Sequence, residues 1–305
     1  MSQPPEGLTG RVPARPLRLL VAEGEPPEDR ERRRESVGNS SGETYEAVLE
    51  RLAPGATVHR VAPADAGAAA EVPDAGGLEG YDAVFLTGSP LHLYRDTPEA
   101  RRQVAFMRTV YESGTPAFGS CAGLQVATVA AGGTVRPNAR GHEAAFARRL
   151  VRTGAGRGHP LLDGRPEAWD APAIHSDEVE ALPEGGVALA ANGVTAVQAA
   201  EIRHGPRGGV FWGVQYHPEL TLGEVAAALR RQADALAEEG PGGSREAVEA
   251  HADLIAALDA EPGRRDLAWR LGLDEQVTDP ARRETELRNF VERLVLPTRA
   301  ARGRG

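Results

Sequence analysis

The single cysteine of the chain, Cys121, stands at the centre of a short segment bracketed by glycines. The segment reads Gly119-Ser120-Cys121-Ala122-Gly123 and follows a short apolar stretch that predicts a strand. Glycines two before and two after a nucleophile relieve backbone crowding in a tight turn between a strand and a helix. Such a turn places the thiol at a helix N-terminus, where the dipole and the free amides favour the thiolate. The spacing therefore predicts a cysteine nucleophile.

Two other interpretations fit this pentapeptide when it is taken alone. A lone cysteine often behaves as a small buried apolar residue, so the segment also fits a glycine-rich turn with an inert thiol. Ser120 is a second candidate nucleophile, but only Cys121 is centred between the two glycines. The choice depends on whether a base and its partner occur elsewhere in the chain.

A histidine and a carboxylate that could serve the thiol lie in the segment His217-Pro218-Glu219. In an extended chain, the side chains of residues two apart point to the same side. Glu219 can therefore bind one ring nitrogen of His217 while the other nitrogen faces Cys121. The alternative is a turn with a surface ion pair. The order of nucleophile, histidine and acid differs from that of α/β-hydrolases, in which the acid precedes the histidine.

Composition excludes several classes of chemistry. All 35 basic residues are arginine, so the chain has no P-loop lysine, no Schiff-base lysine and no lysine general base. No cysteine pair or His-x-x-x-His spacing suggests a metal, and we expect no cofactor. A net charge of −9 argues against nucleic-acid binding. No apolar run is long enough for a membrane helix, and the polar stretch Met1–Pro16 lacks a signal sequence, so we expect a cytoplasmic protein.

Strands and helices alternate along the first two thirds of the chain, and these elements must position the motifs. Short apolar runs predict strands, Thr97-Pro98-Glu99 begins a helix, and Glu23 to Gly42 is predicted as a long loop. This alternation indicates an α/β fold with a mostly parallel sheet. The predicted strands are Leu17–Ala22, Thr57–Val61, Tyr81–Leu86, Pro116–Gly119, Ala145–Thr153, Val187–Ala191, Ala196–Arg203 and Val210–Tyr216.

The sequence pattern changes after Leu222, where predicted helices replace the alternation of strands and helices. We expect a leader at residues 1–16, a domain at residues 17–222 and a helical extension at residues 223–305. The extension has apolar residues at helical spacing that must be buried. Packing back on the sheet, forming a homodimer and docking a partner would each bury them.

Three motifs in order resemble those of the class I glutamine amidotransferases. Gly119-x-Cys121-x-Gly123-x-Gln125 matches the nucleophile motif, and His-Pro-Glu follows about ninety-six positions downstream. Thr87-Gly88-Ser89-Pro90 looks like the family's loop after the third strand. The resemblance covers roughly residues 17–222 and is close to the amidotransferase part of GMP synthase. Ser120 departs from it, since an apolar residue is usual there, and we expect this change to matter little.

The resemblance implies a flavodoxin-like three-layer sandwich and a set of roles. Cys121, His217 and Glu219 would be the triad, attacking the side-chain amide of glutamine and passing through a γ-glutamyl thioester. Gly88, Ser89 and Ala122 would form the oxyanion hole. Gln125, and more weakly His175 and Asp177 in the segment Ile174–Val179, would contact the substrate.

Three functions remain open at this point. The first is a stand-alone amidotransferase that delivers nitrogen to a small-molecule acceptor or to a separate synthetase subunit, since no synthetase signature occurs in the chain. The second is a hydrolase of γ-glutamyl compounds. The third is a catalytically silent module that binds a partner. An intact triad argues against the third.

Overall fold

The computed structural model describes residues 15–239 and 243–303, so residues 1–14 of the expected leader lie outside it. Its strands are β1 Arg18–Ala22, β2 Thr57–Val61, β3 Ala83–Leu86, β4 Ala117–Ser120, β5 Thr134–Pro137, β6 Glu143–Arg152, β7 Ala168–His175, β8 Asp177–Ala181, β9 Gly186–Ala191, β10 Ala199–His204 and β11 Gly209–Val214. Its α-helices are α1 Pro27–Val37, α2 Ser41–Leu52, α3 Ala75–Leu78, α4 Pro98–Ser113, α5 Ala122–Ala130, α6 Leu222–Arg231, α7 Ala233–Glu239, α8 Arg245–Ala260, α9 Arg265–Leu271, α10 Glu275–Thr278, α11 Pro280–Arg283, α12 Thr285–Phe290 and α13 Leu296–Ala301.

One large sheet organises these elements, in the order β2-β1-β3-β4-β11-β10-β9-β6-β7. Strands β2, β1, β3, β4 and β11 run parallel, whereas β10, β9, β6 and β7 continue the sheet antiparallel. A small second sheet pairs β5 with β8. Because parallel strands share the direction of their carboxyl ends, the segments after β1, β3, β4 and β11 meet at one edge. The residues predicted to do chemistry follow three of these four strands.

Both faces of the sheet are covered, which gives the three layers expected. One face packs against α2, with Tyr45 and Leu49 fully buried. The other packs against α4 and α5, where Met107 and Leu124 are fully buried. The α/β fold predicted from the alternation of elements and the three-layer sandwich implied by the resemblance are therefore confirmed. Across the described part of the chain, no helix is both long and apolar enough to cross a membrane.

The C-terminal helices pack back on the sheet in two places. Helices α6, α8 and α9 form a third core with Phe146 of β6. Helix α12 places Leu287 and Phe290, both fully buried, in the core beside α2. A buried ion pair of 2.6 Å between Arg165 and Glu286 fastens α12 further. Of the ways to bury the apolar stripes, packing on the sheet is the one that this structure contains.

The predicted loop from Glu23 to Gly42 was wrong, because α1 occupies its centre. This helix is almost entirely charged and has no apolar stripe, so hydrophobic periodicity does not reveal it. Local signals nevertheless favour it: Pro27 lies in the first turn with Glu28 and Asp29, and Gly38 ends the helix in the left-handed region. The error matters because α1 borders the candidate active site.

Candidate active site

The nucleophile candidate Cys121 occupies a strained turn between β4 and α5. Its φ of 52° and ψ of −113° are rare for a residue with a side chain. The flanking glycines are required by close packing: a Cβ at Gly119 would lie 2.8 Å from the carbonyl carbon of Gly123, and one at Gly123 would lie 2.6 Å from the carbonyl oxygen of Leu86. The turn thus presents the thiol at the amino end of α5, as the spacing predicted.

His217 and Glu219 form the hydrogen-bonded pair that the sequence suggested. Nδ1 of His217 lies 2.7 Å from Oε1 of Glu219, and both side chains are buried. The backbone N–H of His217 donates to the carbonyl of Pro172, which fixes the turn after β11. Since β11 pairs with β4 and the N–H of Cys121 donates to Val214 at 2.8 Å, the turn carrying the imidazole lies beside the nucleophile turn.

The electrostatics of this pair favour a charged imidazole. Burial opposes the imidazolium, but the interactions with Glu219 and Cys121 outweigh that cost and raise the pKa of His217 to about 10. At neutral pH the ring therefore carries two N–H groups: Nδ1–H donates to Glu219, and Nε2–H is available to the sulfur or to a leaving group.

Two residues that the sequence reasoning missed support Glu219. The hydroxyl of Ser120 donates to Oε1 of Glu219 at 2.8 Å, and the hydroxyl of Tyr45 lies 2.6 Å from Oγ of Ser120. Both are fully buried. Because Ser120 uses its proton on the carboxylate, Tyr45 donates to Ser120. The side chain of Ser120 was predicted to matter little, yet it joins the pair. No sequence signal links Tyr45 to it, since the two residues are far apart in the chain.

The backbone amides expected to form an oxyanion hole border the same turn. Ala122 is the first residue of α5, so its N–H has no acceptor within the helix. The N–H groups of Gly88 and Ser89 donate to no group within residues 15–239 and 243–303. The loop that contains Gly88 closely approaches His217. A Cβ at Gly88 would lie only 2.9 Å from Cε1 of the imidazole.

Gln125 and Asp177 line the cavity beside Cys121 and are tied to each other. Nε2 of Gln125 donates to the backbone carbonyl of Asp177 at 3.4 Å and to the side chain of Gln215 at 3.2 Å. One carboxylate oxygen of Asp177 lies 2.7 Å from Nδ1 of His92, a residue to which the sequence reasoning gave no role. The side-chain carbonyl oxygen of Gln125 and the carboxylate of Asp177 are therefore hydrogen-bond acceptors that a ligand in the cavity can use.

His175, which the resemblance placed among the substrate contacts, supports this wall of the cavity through both of its ring nitrogens. Its Nδ1 donates to the backbone carbonyl of Asp177 at 2.9 Å, and its Nε2 lies 2.9 Å from Glu143. Glu143 also accepts from Asn192 and Gln198, both at 2.6 Å. With both ring nitrogens engaged by protein groups, His175 is placed to position Asp177 rather than to bind a ligand through its ring.

These residues surround a cavity of about 740 Å³ that also extends between α1 and α6. Its wall there includes Glu25 after β1, Arg33 of α1 and Arg231 of α6. The volume falls in the range of pockets that hold a ligand larger than one amino acid. Helix α6, the first of the C-terminal helices, therefore borders the site.

The chain is similar to known proteins along most of its length. The profile of the family described as "Glutamine amidotransferase class-I" matches residues 45–233. A γ-glutamyl-L-1-hydroxyisopropylamide hydrolase of a Pseudomonas species is 36% identical over 287 residues, which is 92% of this chain and 94% of that protein. Because 92% of the chain is matched, the similarity to this hydrolase includes most of the C-terminal helices.

Other similarities are more limited in extent or in identity. A glutamine-hydrolysing GMP synthase subunit of Methanoculleus marisnigri is 30% identical over 153 residues, covering 50% of this chain and 72% of that protein. The matched part is only 27% of the GMP synthase of Methylobacillus flagellatus, which is 34% identical over 160 residues. The crystal structure of a glutamine amidotransferase from Thermotoga maritima has the same fold, with a TM-score of 0.61 at 16% identity over 92% of this chain and 98% of that one.

From its motifs, its fold and these similarities, the chain belongs to the class I glutamine amidotransferase family.

Proposed function

We propose that the chain cleaves the side-chain amide of glutamine and of N-substituted γ-glutamyl amides, with Cys121 as the nucleophile. One observation carries the proposal: a strained thiol at a helix N-terminus lies beside a buried imidazole–carboxylate pair at the edge of a large cavity. A cysteine, a base and a group that orients the base make up the general activated-nucleophile arrangement.

In the first half-reaction the thiolate of Cys121 adds to the amide carbon. The amides of Gly88, Ser89 and Ala122 stabilise the negative oxygen that develops. Imidazolium Nε2–H of His217 protonates the nitrogen as the carbon–nitrogen bond breaks, which leaves a γ-glutamyl thioester and a free amine or ammonia. Glu219 keeps the ring oriented and stabilises its charge.

In the second half-reaction water replaces the amine. The neutral imidazole removes a proton from the water, the hydroxide adds to the thioester carbon, and the thiolate of Cys121 leaves. Glutamate is released, and His217 carries its proton again. Gln125 and Asp177 supply acceptors that suit the α-ammonium group of the glutamyl portion.

The fate of the nitrogen has two candidates, each favoured by one observation. Similarity along nearly the whole chain to a γ-glutamyl-amide hydrolase favours water as the only acceptor and release of an amine. Similarity of half of the chain to a GMP synthase subunit favours delivery of ammonia to a small-molecule acceptor bound by a separate synthetase. The first half-reaction is common to both.

Incubation of the purified protein with glutamine and with γ-glutamyl ethylamide tests the proposal, with glutamate, ammonia and ethylamine measured. We expect glutamate from both substrates in the absence of other proteins, and γ-glutamyl hydroxamate when hydroxylamine traps the thioester. A glutamine-mimicking electrophile should label the protein once, since Cys121 is the only cysteine, and glutamine should protect it. A folded Cys121→Ala variant with undiminished turnover would contradict the assignment.

A further inference from the structure

His92 and Asp177 form a hydrogen-bonded pair in the cavity that the chemistry at Cys121 does not require. Nδ1 of His92 lies 2.7 Å from a carboxylate oxygen of Asp177, whose side chain is buried. His92 follows β3, which is next to β4 in the sheet, whereas Asp177 comes just after β7, at the end of the sheet on the other side of β4. The pair therefore joins the segment of the expected oxyanion hole to the wall that binds the glutamyl portion in the proposed mechanism.

Both partners are held in place by their surroundings. The backbone N–H of Arg95 donates to the carbonyl of His92 at 3.0 Å, which closes a turn. The ring of Tyr94 packs against the imidazole, with 5.3 Å between the ring centroids. On the other wall, the backbone carbonyl of Asp177 accepts hydrogen bonds from two buried side chains. The contact between His92 and Asp177 thus connects two ordered segments.

The two ring nitrogens of His92 have different surroundings. A carboxylate can only accept, so Nδ1 carries a proton. Nε2 has no hydrogen-bond partner among residues 15–239 and 243–303, and 33% of the side chain is exposed. His175, by contrast, uses both of its ring nitrogens on protein groups. No protein group therefore fixes the second proton of His92, and imidazoles change their charge between about pH 5 and 8.

Asp177 differs from its neighbour in the group that compensates its charge. The adjacent Glu178 pairs with Arg136 at 3.0 Å, so its compensating charge is permanent. In the described part of the chain, the one ion-pair partner of Asp177 is His92. A carboxylate beside an imidazolium attracts an ammonium group less than one beside a neutral imidazole. The charge that Asp177 presents to a ligand therefore depends on the protonation of His92.

We propose that His92 determines whether Asp177 can bind the α-ammonium group of a glutamyl substrate. This proposal rests on the proposed function, in which Asp177 is an acceptor for that group. The neutral imidazole donates from Nδ1 and orients the carboxylate, which can then also accept from the ammonium group. The imidazolium neutralises the carboxylate and repels the ammonium group. By linkage, binding of a glutamyl substrate releases the second proton of His92.

The test compares glutamine with glutaramate, which is glutamine without its α-amino group. The measured quantity is the ratio of their kcat/KM values, because a pH effect on the nucleophile or on the base cancels in this ratio. Between about pH 8 and pH 5.5 we expect the ratio to fall about tenfold in the unaltered protein, since His92 gains its second proton and its charge. His92→Asn keeps a hydrogen-bond donor near the position of Nδ1 but gains no charge. In this variant the ratio should stay high at both pH values.

His59→Asn is the matched control. Nδ1 of His59 also lies close to a protein oxygen, the hydroxyl of Tyr81 at 2.8 Å, but His59 is on β2 and outside the wall of the cavity. This variant should show the same fall in the ratio as the unaltered protein. A ratio that does not change with pH in the unaltered protein would overturn the inference.

Other titratable groups near His92 are separated from it by the same comparison. Tyrosine and arginine keep their charge states between about pH 5 and 8, and every group other than His92 is still present in His92→Asn. A fall of the ratio caused by Asp177 itself or by another group would therefore appear in this variant too. An equal fall in His92→Asn and in the unaltered protein would overturn the inference. Besides Asp177, these groups are Tyr94 and Arg95 on the same segment and Cys121, His142, His175 and His217 across the cavity.

Calorimetric binding to a folded Cys121→Ala protein gives a readout that needs no turnover. At about pH 6.5, binding of glutamine should release protons, which titrations in two buffers of different ionisation enthalpy measure. Binding of glutaramate should release none, and adding His92→Asn should remove the release seen with glutamine.

Failure of the proposed function would have a different signature, because the unaltered protein would then cleave neither compound. The calorimetric comparison would still decide on His92. Proton release that depends on both the α-amino group and the imidazole would support its role. No release with glutamine, or the same release after His92→Asn, would exclude it.

Discussion

Ser120 and His217 donate hydrogen bonds to the same oxygen of Glu219, at 2.8 and 2.7 Å. The serine adjoins the nucleophile candidate in sequence and contacts the group that orients the base. Its hydrogen bond fixes the position of Oε1 and draws electron density from it. The second oxygen, Oε2, is buried and has no hydrogen-bond partner among residues 15–239 and 243–303. The orientation of Glu219 therefore depends on these two donors.

The first prediction follows from this shared oxygen. Ser120→Ala should lower kcat about tenfold, because Glu219 loses one of its two constraints. It should also raise the pKa of His217, because a less neutralised carboxylate attracts the imidazolium more strongly, so the alkaline limb of the pH–rate profile should move upward. Tyr45→Phe should have a smaller effect in the same direction. An unchanged pH profile in Ser120→Ala would reduce Ser120 to a packing residue.

The second prediction separates the base from the residue that orients it. His217→Ala removes the proton donor and should reduce kcat by about 10³-fold or more. Glu219→Gln keeps the shape and one hydrogen bond, so it should retain measurable activity, about 10- to 100-fold above that of His217→Ala. Steady-state rates with glutamine distinguish the two. A larger loss in Glu219→Gln than in His217→Ala would reverse the assigned roles.

The third prediction concerns stability and pH. The pKa of His217 in the folded chain, about 10, is above its value of about 6.5 in an unfolded chain. Its ion pair with Glu219 therefore contributes stability that is complete below about pH 6.5 and is lost as the pH rises towards 10. The difference in free energy of unfolding between the unaltered protein and Glu219→Gln should shrink across this interval. Urea titrations at several pH values measure it, and a difference that grows with pH would contradict the ion pair.

The fourth prediction concerns the C-terminal helices. Phe290 is fully buried and packs edge-on or tilted against the rings of Phe85, Phe118 and Trp212. Phe290→Ala should lower the free energy of unfolding by about 3–5 kcal/mol. Trp269→Ala is the matched control: this aromatic residue of the same region is 77% exposed, so its loss should change stability by at most about 0.5 kcal/mol.

Truncation after Leu222 extends this test to the whole region. It removes Phe290 together with helices α8 and α9, and the sheet would lose the cover of two apolar areas. We expect the shortened protein to unfold. A soluble, truncated protein with unchanged glutamine cleavage would show that the C-terminal helices are dispensable for both the fold and the site.

The sequence predicted those parts of the site that adjoin one another in the chain. The elbow around Cys121 and the pair His217–Glu219 depend on local spacing, and the structure places them as expected. The strand that begins at Thr57 and the helix that begins at Pro98 were found for the same reason, since local turn and cap signals bound them. Such features need no knowledge of the tertiary fold.

The parts that were missed depend on tertiary contacts or lack an apolar pattern. Tyr45 reaches Ser120 only because α2 packs on the face of the sheet that β4 shares. Helix α1 has no apolar stripe, and its charged side chains are satisfied by partners such as Glu224, far away in the chain. A pattern read from neighbours in sequence does not identify contacts of this kind.

The contact between Tyr216 and Glu286 has a consequence for how the protein is made. Tyr216 immediately precedes His217, and its hydroxyl donates to Glu286 of α12 at 2.9 Å. A ribosome synthesises α12 long after it has synthesised Cys121, His217 and the whole sheet. The segment that carries the base therefore gains its final anchor only when the chain is almost complete. Fragments released early by the ribosome would contain the thiol and the imidazole without this anchor.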